Sequence, residues 1–252
     1  MSTSNSKYFD LHLTGVARLA RLRDVPVRRG PGFSAVDLYA LWGTQDGNGR
    51  DDTTKLDCRI SGAPAKVGIE HLRPAIEAGK SVVVGFSAGD PTPDLFEYKN
   101  GPKAGQTGAG IKARLLKIRW ARVDGKLVDL PGVETSAPEM VPLTLRGLGY
   151  LNSVRDFDDG SSATIAALHG ASEEVEYTYL QTRVTNGAEA PIEALKANVD
   201  AKDKVIIQFR VQNPYLKTFT YKAGKRVGQT GANLKGNLEE ITWAKVNGEV
   251  VE

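Results

Sequence analysis

The segment GQTGAGIK, residues 105–112, has the glycine content of a loop that cradles phosphate. A nucleotide-binding P-loop needs G-x-x-x-x-G-K-[ST] directly before a helix, so that backbone N–H groups point at the phosphates. Here Ile111 intervenes before Lys112, Ala113 replaces the Ser or Thr, and the residues that follow, ARLLKIRW, are strand-like. The pattern disfavours a P-loop and predicts a connection between two strands. Its glycines either only supply positive φ angles or help to close over a bound single strand.

Basic and aromatic residues are interleaved along the chain, which is the pattern required for binding a single nucleic-acid strand. Cations follow the phosphates, and exposed rings stack on the bases at about 1–3 kcal/mol per base. In the first half the candidate contacts are Arg18, Arg21, Arg23, Tyr39, Trp42, Arg59, Tyr98, Lys99, Lys103, Lys112, Arg114, Lys117, Arg119, Trp120 and Arg122. In the second half they are Tyr221, Lys222, Lys225, Arg226 and Lys235, with Tyr177, Tyr179 and Tyr215 as further aromatic residues.

One tryptophan recurs in both halves, as Trp120 and Trp243, and it has two interpretations. A residue that both halves keep is most simply a core residue, but an exposed indole would also stack on a base. The neighbouring Lys117 and Arg119 become acidic and neutral in the second half, so their face of the strand is free to specialise. We therefore expect that exchanging Lys117 and Arg119 for the second-half residues weakens binding of single-stranded DNA (ssDNA).

Catalytic and metal-binding chemistry finds little support in the residue pattern. No Ser/His/Asp arrangement recurs, and the three histidines are scattered without ligand-like spacing. Cys58 is the single cysteine and becomes Thr182 in the second half, which excludes an internal disulfide and a zinc–thiolate cluster. The carboxylate clusters GRDD and RDFDD are typical of solvated turns. The sequence therefore predicts a protein that is not an enzyme and uses no cofactor and no metal.

The composition, 40% hydrophobic and 25% charged residues, is that of a globular protein. Because no run of about 18 apolar residues is present and the start is polar, we expect no membrane contact and a cytoplasmic location. Residues 1–130 hold 20 Lys and Arg against 14 Asp and Glu, a net charge of +6, whereas residues 131–252 hold 13 against 16, a net charge of −3. This asymmetry predicts that the first half grips a polyanion more strongly.

The elements that must position these residues occur twice in the chain. Residues 96–128 align with residues 219–251 without a gap, and about half of the positions are identical. Upstream blocks align in the same order: GVARLARLRDV with GLGYLNSVRDF, AVDLYALWG with SATIAALHG, and LDCRISGA with LQTRVTNG. We interpret this as a tandem duplication of a unit of about 110 residues. The predicted domains cover 1–130 and 143–252, and a linker with prolines covers 131–142.

Within one unit the pattern predicts three strands, a helix and two further strands. The strands are expected over 14–25, 33–42, 54–61, 81–88 and 111–123. The helix is expected over 64–79, with its buried face formed by Val67, Leu72, Ala75 and Ile76, and its counterpart over 190–201. This order is that of an OB-type barrel with a helix between strands three and four. The predicted fold is mainly β, with two tandem five-stranded OB-type barrels.

The segments SNSKYFDLHLTGVARL, GYLNSVRDF and FEYKNGPKAGQTGAGIKARLLKIRWARVDGKLV carry a family resemblance. They resemble replication-associated proteins encoded by bacterial integrative and conjugative elements, which are related in architecture to OB-fold ssDNA-binding and primosomal proteins. The most specific part is Phe-x-Tyr-x-x-Gly … Gly-Gln-Thr-Gly … Trp-x-x-Val-x-Gly. Members of that family are usually one unit long, so the tandem form departs from the pattern. The resemblance implies ssDNA as the partner during replication or transfer of the element, self-association beyond the fused pair, and contacts with other replication proteins.

Two other classes of function stay open from the residues alone. One is a structural or adaptor protein of a replication or conjugation complex, with little DNA affinity of its own. The other is an accessory subunit of an enzyme that acts on nucleotides. A titration with oligo-dT at several salt concentrations separates them from an ssDNA-binding protein, because phosphate contacts make the affinity fall steeply with salt.

Overall fold

A computed structural model describes residues 8–28, 30–45, 51–102, 104–133 and 141–251, without the side chains of residues 8, 42–45, 51–52 and 186. The strands are β1 (Tyr8–Phe9), β2 (His12–Val25), β3 (Phe33–Gln45), β4 (Asp51–Ile60), β5 (Val82–Glu97), β6 (Thr107–Val123), β7 (Lys126–Val128), β8 (Thr144–Phe157), β9 (Gly160–Ala171), β10 (Glu174–Val184), β11 (Val205–Thr220), β12 (Thr230–Val246) and β13 (Glu249–Val251). The helices are α1 (Ala63–Glu77), α2 (Asn186–Asp200) and a short 3₁₀ turn (Gly224–Arg226).

Strands β2, β3, β4, β6 and β5 form a closed five-stranded barrel. Their hydrogen-bonded order is β2–β3–β4–β6–β5, and β5 pairs back with β2 to close the ring. The β4–β6 pair is parallel, whereas β2–β3 and β3–β4 are antiparallel. This strand order is consistent with an OB fold. Clustering of contacts assigns Leu13–Phe96 and Gly110–Leu143, which contain most of this barrel, to one compact unit.

Alternation along each strand separates an inner from an outer face, because successive side chains of a strand point to opposite sides. On β3, Val36, Leu38 and Ala40 are buried in the core, and Tyr39 between them is half-buried. On β4, Leu56 and Cys58 are fully buried, while their neighbours are half-buried or exposed. Tyr39 and Arg59, two of the predicted nucleic-acid contacts, therefore lie on the outer face together with Lys55 and Asp57.

Helix α1 follows β4, as the sequence predicts, but its buried face differs from the predicted one. Ala65, Gly68, Ile69 and Leu72 are the buried residues of the helix, at the i, i+3, i+4, i+7 spacing of one helical face. The prediction that Val67 belongs to that face is wrong, since Val67 is 47% exposed. Leu72 is buried as predicted, Ala75 and Ile76 are half-buried, and the buried face extends further toward the start of the helix.

The same order of pairings occurs among residues 144–251. Strands β8–β9 and β9–β10 are antiparallel, β10–β12 is parallel, and β12–β11 and β11–β8 are antiparallel. Helix α2 lies between β10 and β11 and begins four residues before the predicted 190–201. The described residues of 8–12 and 97–109 belong with residues 144–251 to the second compact unit.

The segment 105–112 belongs to a hairpin between β5 and β6. Gly105 has a φ of +79° and donates from its backbone N–H to the carbonyl of Tyr98, and the Tyr98 N–H donates to the carbonyl of Gln106. From Thr107 onward the chain is a strand, so no helix N-terminus faces these glycines. The P-loop alternative therefore fails on geometry. In the described part of the chain, neither helix combines the length and the apolar character needed to cross a membrane.

Candidate nucleic-acid interface

The outer face of strands β2, β3, β4 and β6 gathers many of the predicted contacts. Residues 12 to 55 positions apart in sequence become lateral neighbours because four strands lie side by side. The cross-strand rows are Arg18–Tyr39–Lys55, Asp37–Asp57–Lys112 and Arg23–Ala35–Arg59–Arg114. Arg21 lies on β2 within a register shift between Leu19 and Leu22, and its side chain is exposed. We call the set Arg18, Arg21, Arg23, Tyr39, Lys55, Arg59, Lys112 and Arg114 the basic face.

A cluster of ion pairs occupies the centre of the basic face. The carboxylate of Asp37, which is only 6% exposed, accepts from Arg23 Nη1 at 2.5 Å and pairs with Lys55 Nζ at 3.2 Å. Arg23 also donates to Asp57 through its other terminal nitrogen. Partial burial opposes the charge of Arg23, but the two carboxylates outweigh it and raise the guanidinium pKa. Arg23 therefore joins two carboxylates of the sheet, and its charge is already balanced there.

The remaining cations of the basic face differ in how far they are neutralised. Lys112 pairs with Asp94 at 3.0 Å, and Arg114 pairs with Asp90. The guanidinium carbon of Arg59 lies 4.7 Å from the centroid of the Phe33 ring, a cation–π contact that leaves its charge unbalanced. Among the described residues Arg21 has no ion-pair partner. Within the described part of the chain, the carboxylates of Asp37, Asp57, Asp90 and Asp94 balance Arg23, Lys55, Lys112 and Arg114, whereas Arg21 and Arg59 pair with no carboxylate.

Three half-buried aromatic rings belong to the same surface: Phe33, Tyr39 and Phe96. Lys55 Nζ lies 5.8 Å from the centroid of the Phe96 ring. A groove of about 180 Å³ lies beside this ring and is also lined by Arg21, Lys112 and Gly110. Sequence reasoning did not select Phe33, Lys55 or Phe96. Alternation along β4 could have identified Lys55 as outward-facing, but only the sheet register places it beside Tyr39.

Trp120 is a core residue and is therefore not a candidate for stacking on a base. Its side chain is 6% exposed, and a Cβ added at Gly85 would overlap its indole nitrogen. A ring packed in this way offers no free face to a base, which corrects its inclusion among the contacts. Trp243 pairs in register with Gln208 instead of a glycine and is half-buried, with Lys245 Nζ 5.3 Å from its ring centroid.

Three predicted cations of β6 lie outside the basic face. Lys117 and Arg119 are exposed, as alternation predicts, and Arg122 is exposed although alternation places it with the buried Trp120. All three follow Leu115, the last β6 residue that pairs with β4. Beyond that point Arg119 donates to the Ser87 hydroxyl of β5 at 3.2 Å, and Arg122 lies opposite Leu127 of β7. The sheet therefore separates these cations from the rows that contain Tyr39.

Other predicted nucleic-acid contacts lie in the second compact unit or outside the residues that the structure describes. Tyr98 and Lys99 belong to Glu97–Ala109, which clusters with Thr144–Glu252. Lys103 and the side chain of Trp42 lie outside the described residues. The contacts predicted from their types stay predictions.

The predicted contacts of the second half separate into a turn and a strand position. Tyr221, Lys222, Lys225 and Arg226 lie on the turn between β11 and β12. There the Tyr221 ring meets Phe219 edge-on at 4.9 Å between centroids, and the Arg226 guanidinium lies 5.7 Å from the Tyr221 centroid. Lys235 instead lies on β12, opposite Gln181 of β10 and Tyr215 of β11. The structure therefore divides this set between two surfaces.

No curated protein matches the chain significantly. Among solved structures, the wild-type single-stranded DNA binding protein from Thermus aquaticus is similar at 12% sequence identity and a TM-score of 0.44, covering 93% of this chain and 94% of that chain. A deletion mutant of the same protein is similar at 11% identity and a TM-score of 0.42, covering 92% and 95%. A family model described as "Protein of unknown function (DUF3577)" matches residues 2–132 and again residues 134–252, so the chain belongs to this family.

Proposed function

We propose that this chain is a non-catalytic ssDNA-binding protein and that its basic face holds the strand. The observation that carries the proposal is the convergence of seven cations and three half-buried aromatic rings on one outer surface of a closed five-stranded barrel. Cations along a groove follow a phosphate backbone of any sequence, and the rings accept base faces. In a duplex those base faces are stacked on each other, so the rings favour a single strand.

The ion pairs of the basic face divide its cations into two roles. Arg21 and Arg59, which have no carboxylate partner among the described residues, are the cations that contact phosphate first. Lys112 and Arg114 are exposed and exchange Asp94 and Asp90 for phosphate at small cost, since surface ion pairs contribute about 0–1 kcal/mol. Arg23 keeps its carboxylates and positions the strands on which the others lie.

We further propose that the chain arose by tandem duplication and contains two OB-type barrels, over 1–130 and 143–252 with the linker 131–142. The two successive matches of one family model and the repeated order of strand pairings support it. The setting that we propose, replication or transfer of a bacterial integrative and conjugative element, rests on the sequence resemblance. Self-association and contacts with other replication proteins belong to the same proposal, and sedimentation of the free chain measures the first.

The test is a titration of labelled oligo-dT, followed by fluorescence anisotropy, at salt concentrations from about 50 to 200 mM. Each phosphate contact on a single strand contributes about −0.7 to the slope of log K against log salt. The double variant Arg21→Gln, Arg59→Gln should therefore flatten the slope by about 1.4 and weaken binding about 60-fold at 50 mM.

The matched control is Lys117→Gln with Arg119→Gln, which removes the same charge from exposed positions off the face. We expect its slope to remain close to that of the unmodified chain. Equal losses in both variants would mean that the attraction is unspecific, and a larger loss in the control would place the strand on the other part of β6. Absence of binding at low salt would favour the adaptor alternative.

A further inference from the structure

We propose a second ssDNA-binding site in the unit that contains Thr144–Glu252, on a groove formed by strands β8, β9, β10 and β12. This inference rests on the proposed function and extends it to a half of the chain whose net charge is −3. The groove has a volume of about 550 Å³ and is lined by Arg155, Phe157, Arg183, Tyr215 and Lys235 among others.

The sheet register brings the three cations of this groove together. Arg155 lies opposite Ser162 of β9, and Ser162 lies opposite Arg183 of β10. In the adjacent row Gln181 of β10 lies opposite Lys235 of β12. The three charges therefore belong to neighbouring rows of one surface, although they are 28 and 52 positions apart along the chain.

The groove keeps three of the seven cations of the basic face and lacks its central carboxylates. Aligning the two halves pairs Arg23 with Arg155, Arg59 with Arg183, and Lys112 with Lys235, but Asp37 with Thr164 and Asp57 with Gln181. Within the described part of the chain, Arg155 and Lys235 consequently have no ion-pair partner. Arg183, whose side chain is 62% exposed, donates to the backbone carbonyl of Asp159 at 2.7 Å, and the Asp159 carboxylate is 4.0 Å away.

The acidic loop beside the groove cancels this charge only in part, since Asp159 lies beside Arg183 while Asp156 is held away from the groove. The sequence DFDD, residues 156–159, predicts repulsion of phosphate, but Asp156 pairs with Lys196 of α2 and accepts from the Ser161 hydroxyl at 2.8 Å. The hydrogen bonds from Lys196 and Ser161 lower the pKa of Asp156. One carboxylate of the loop is therefore engaged with the helix, and net charge over the whole half misrepresents the local field.

Exposed aromatic rings supply the second requirement for binding a single strand. Tyr177, Tyr179, Gln181 and Arg183 alternate along the outer face of β10, with about 6.6 Å between successive members. Tyr177 is 47% exposed and Tyr179 is 56% exposed. Phe157, at the edge of the groove, is 57% exposed. Base stacking would remove this apolar surface from water, so the rings and the cations fit the same ligand.

The experiment counts short strands on the full chain. An oligo-dT of about ten nucleotides fits the roughly 4–16 nucleotides that one OB fold occupies, and native mass spectrometry with calorimetry at 50 mM salt gives the number bound and each affinity. We expect two strands per chain. The variant Arg183→Gln, Lys235→Gln should weaken one binding step about 60-fold and leave the other unchanged, because each lost single-strand contact is worth about eightfold at this salt.

The control Arg146→Gln, Lys202→Gln removes the same charge from exposed positions outside the groove and should leave both steps unchanged. Photo-crosslinking with 5-iodouracil oligonucleotides should identify Phe157 or Tyr215 as an attached residue. One strand per chain, with an affinity that the groove variant does not alter, would overturn the second site while the basic face stands. Absence of binding by any form of the chain would overturn the proposed function itself.

Discussion

The substitution Asp37→Asn should destabilise the fold and strengthen DNA binding at the same time. Asp37 is 6% exposed and holds Arg23 at 2.5 Å and Lys55 at 3.2 Å. Asparagine has nearly the same shape but no charge, so one carboxylate partner of each cation is lost. A hydrogen bond to a charged group contributes about 1.5–3 kcal/mol. Because Arg23 is 23% exposed and retains Asp57, we expect the lower part of this range, about 1.5–2 kcal/mol.

The effect on binding has the opposite sign because the basic face gains one positive charge and Lys55 becomes available to phosphate. One additional contact should steepen the slope of log K against log salt by about 0.7 and tighten binding about eightfold at 50 mM salt. The change in stability corresponds to a urea midpoint lower by about 1 M, for an m-value of about 2 kcal/mol/M. Unfolding is followed by tryptophan fluorescence and binding by anisotropy, at a temperature where both forms are folded.

Asp94→Asn provides the comparison, since it releases Lys112 from a more exposed pair. It should increase the affinity similarly, with a change in unfolding free energy below about 0.5 kcal/mol. If Asp37→Asn loses affinity while Asp94→Asn gains it, the Asp37 cluster positions the phosphate contacts and does not merely neutralise them. If neither variant gains affinity, the basic face does not contact phosphate.

Two further predictions concern the closed barrel of β2, β3, β4, β6 and β5. Gly85→Ala introduces a Cβ that overlaps the indole of Trp120, so it should lower the free energy of unfolding by about 1–3 kcal/mol and shift the tryptophan emission. The control is Gly110→Ala, whose added Cβ lies 3.6 Å from Phe96 and should leave the stability nearly unchanged. An equal loss in both variants would show that the packing against Trp120 is not the cause. Cys58 is fully buried, and this burial, together with the smaller effect of the negative charge of Asp57, raises the pKa of its thiol. A thiol reagent at pH 8 should therefore modify Cys58 only after denaturation in urea. Rapid modification of the folded chain would contradict this placement.

Local patterns in the sequence predict most elements of the closed five-stranded barrel. The predicted strands 14–25 and 33–42 correspond to β2 and β3, and the predicted helix 64–79 corresponds to α1. These predictions depend on residue alternation and on the 3.6-residue period, which are properties of neighbouring residues. The face of α1 was assigned wrongly at Val67 because the pattern does not show which of several apolar stripes the core covers.

The candidate site was predictable in its residue types and only partly in its membership. Arg18, Tyr39 and Arg59 were selected by residue type, and the structure places all three on the outer face, with Arg18 beside Tyr39 and Arg59 two rows away. Lys117 and Arg119 were selected by alternation along their strand, but β6 leaves β4 before it reaches them. Alternation along a strand predicts on which face a residue lies, but it does not predict which neighbouring strand lies next to that residue.

The sequence by itself determined the repeat, the order of strands and helices, and the identity of the cations, because these depend on residue type and local periodicity. Only the tertiary structure decided which cations are neutralised. Lys112 meets Asp94 across β6 and β5, and Asp37 meets Arg23 across β3 and β2. Charge acts over a few ångströms in space. The register of distant strands therefore sets the local field, and the half of the chain with the lower net charge still presents unpaired cations in a groove.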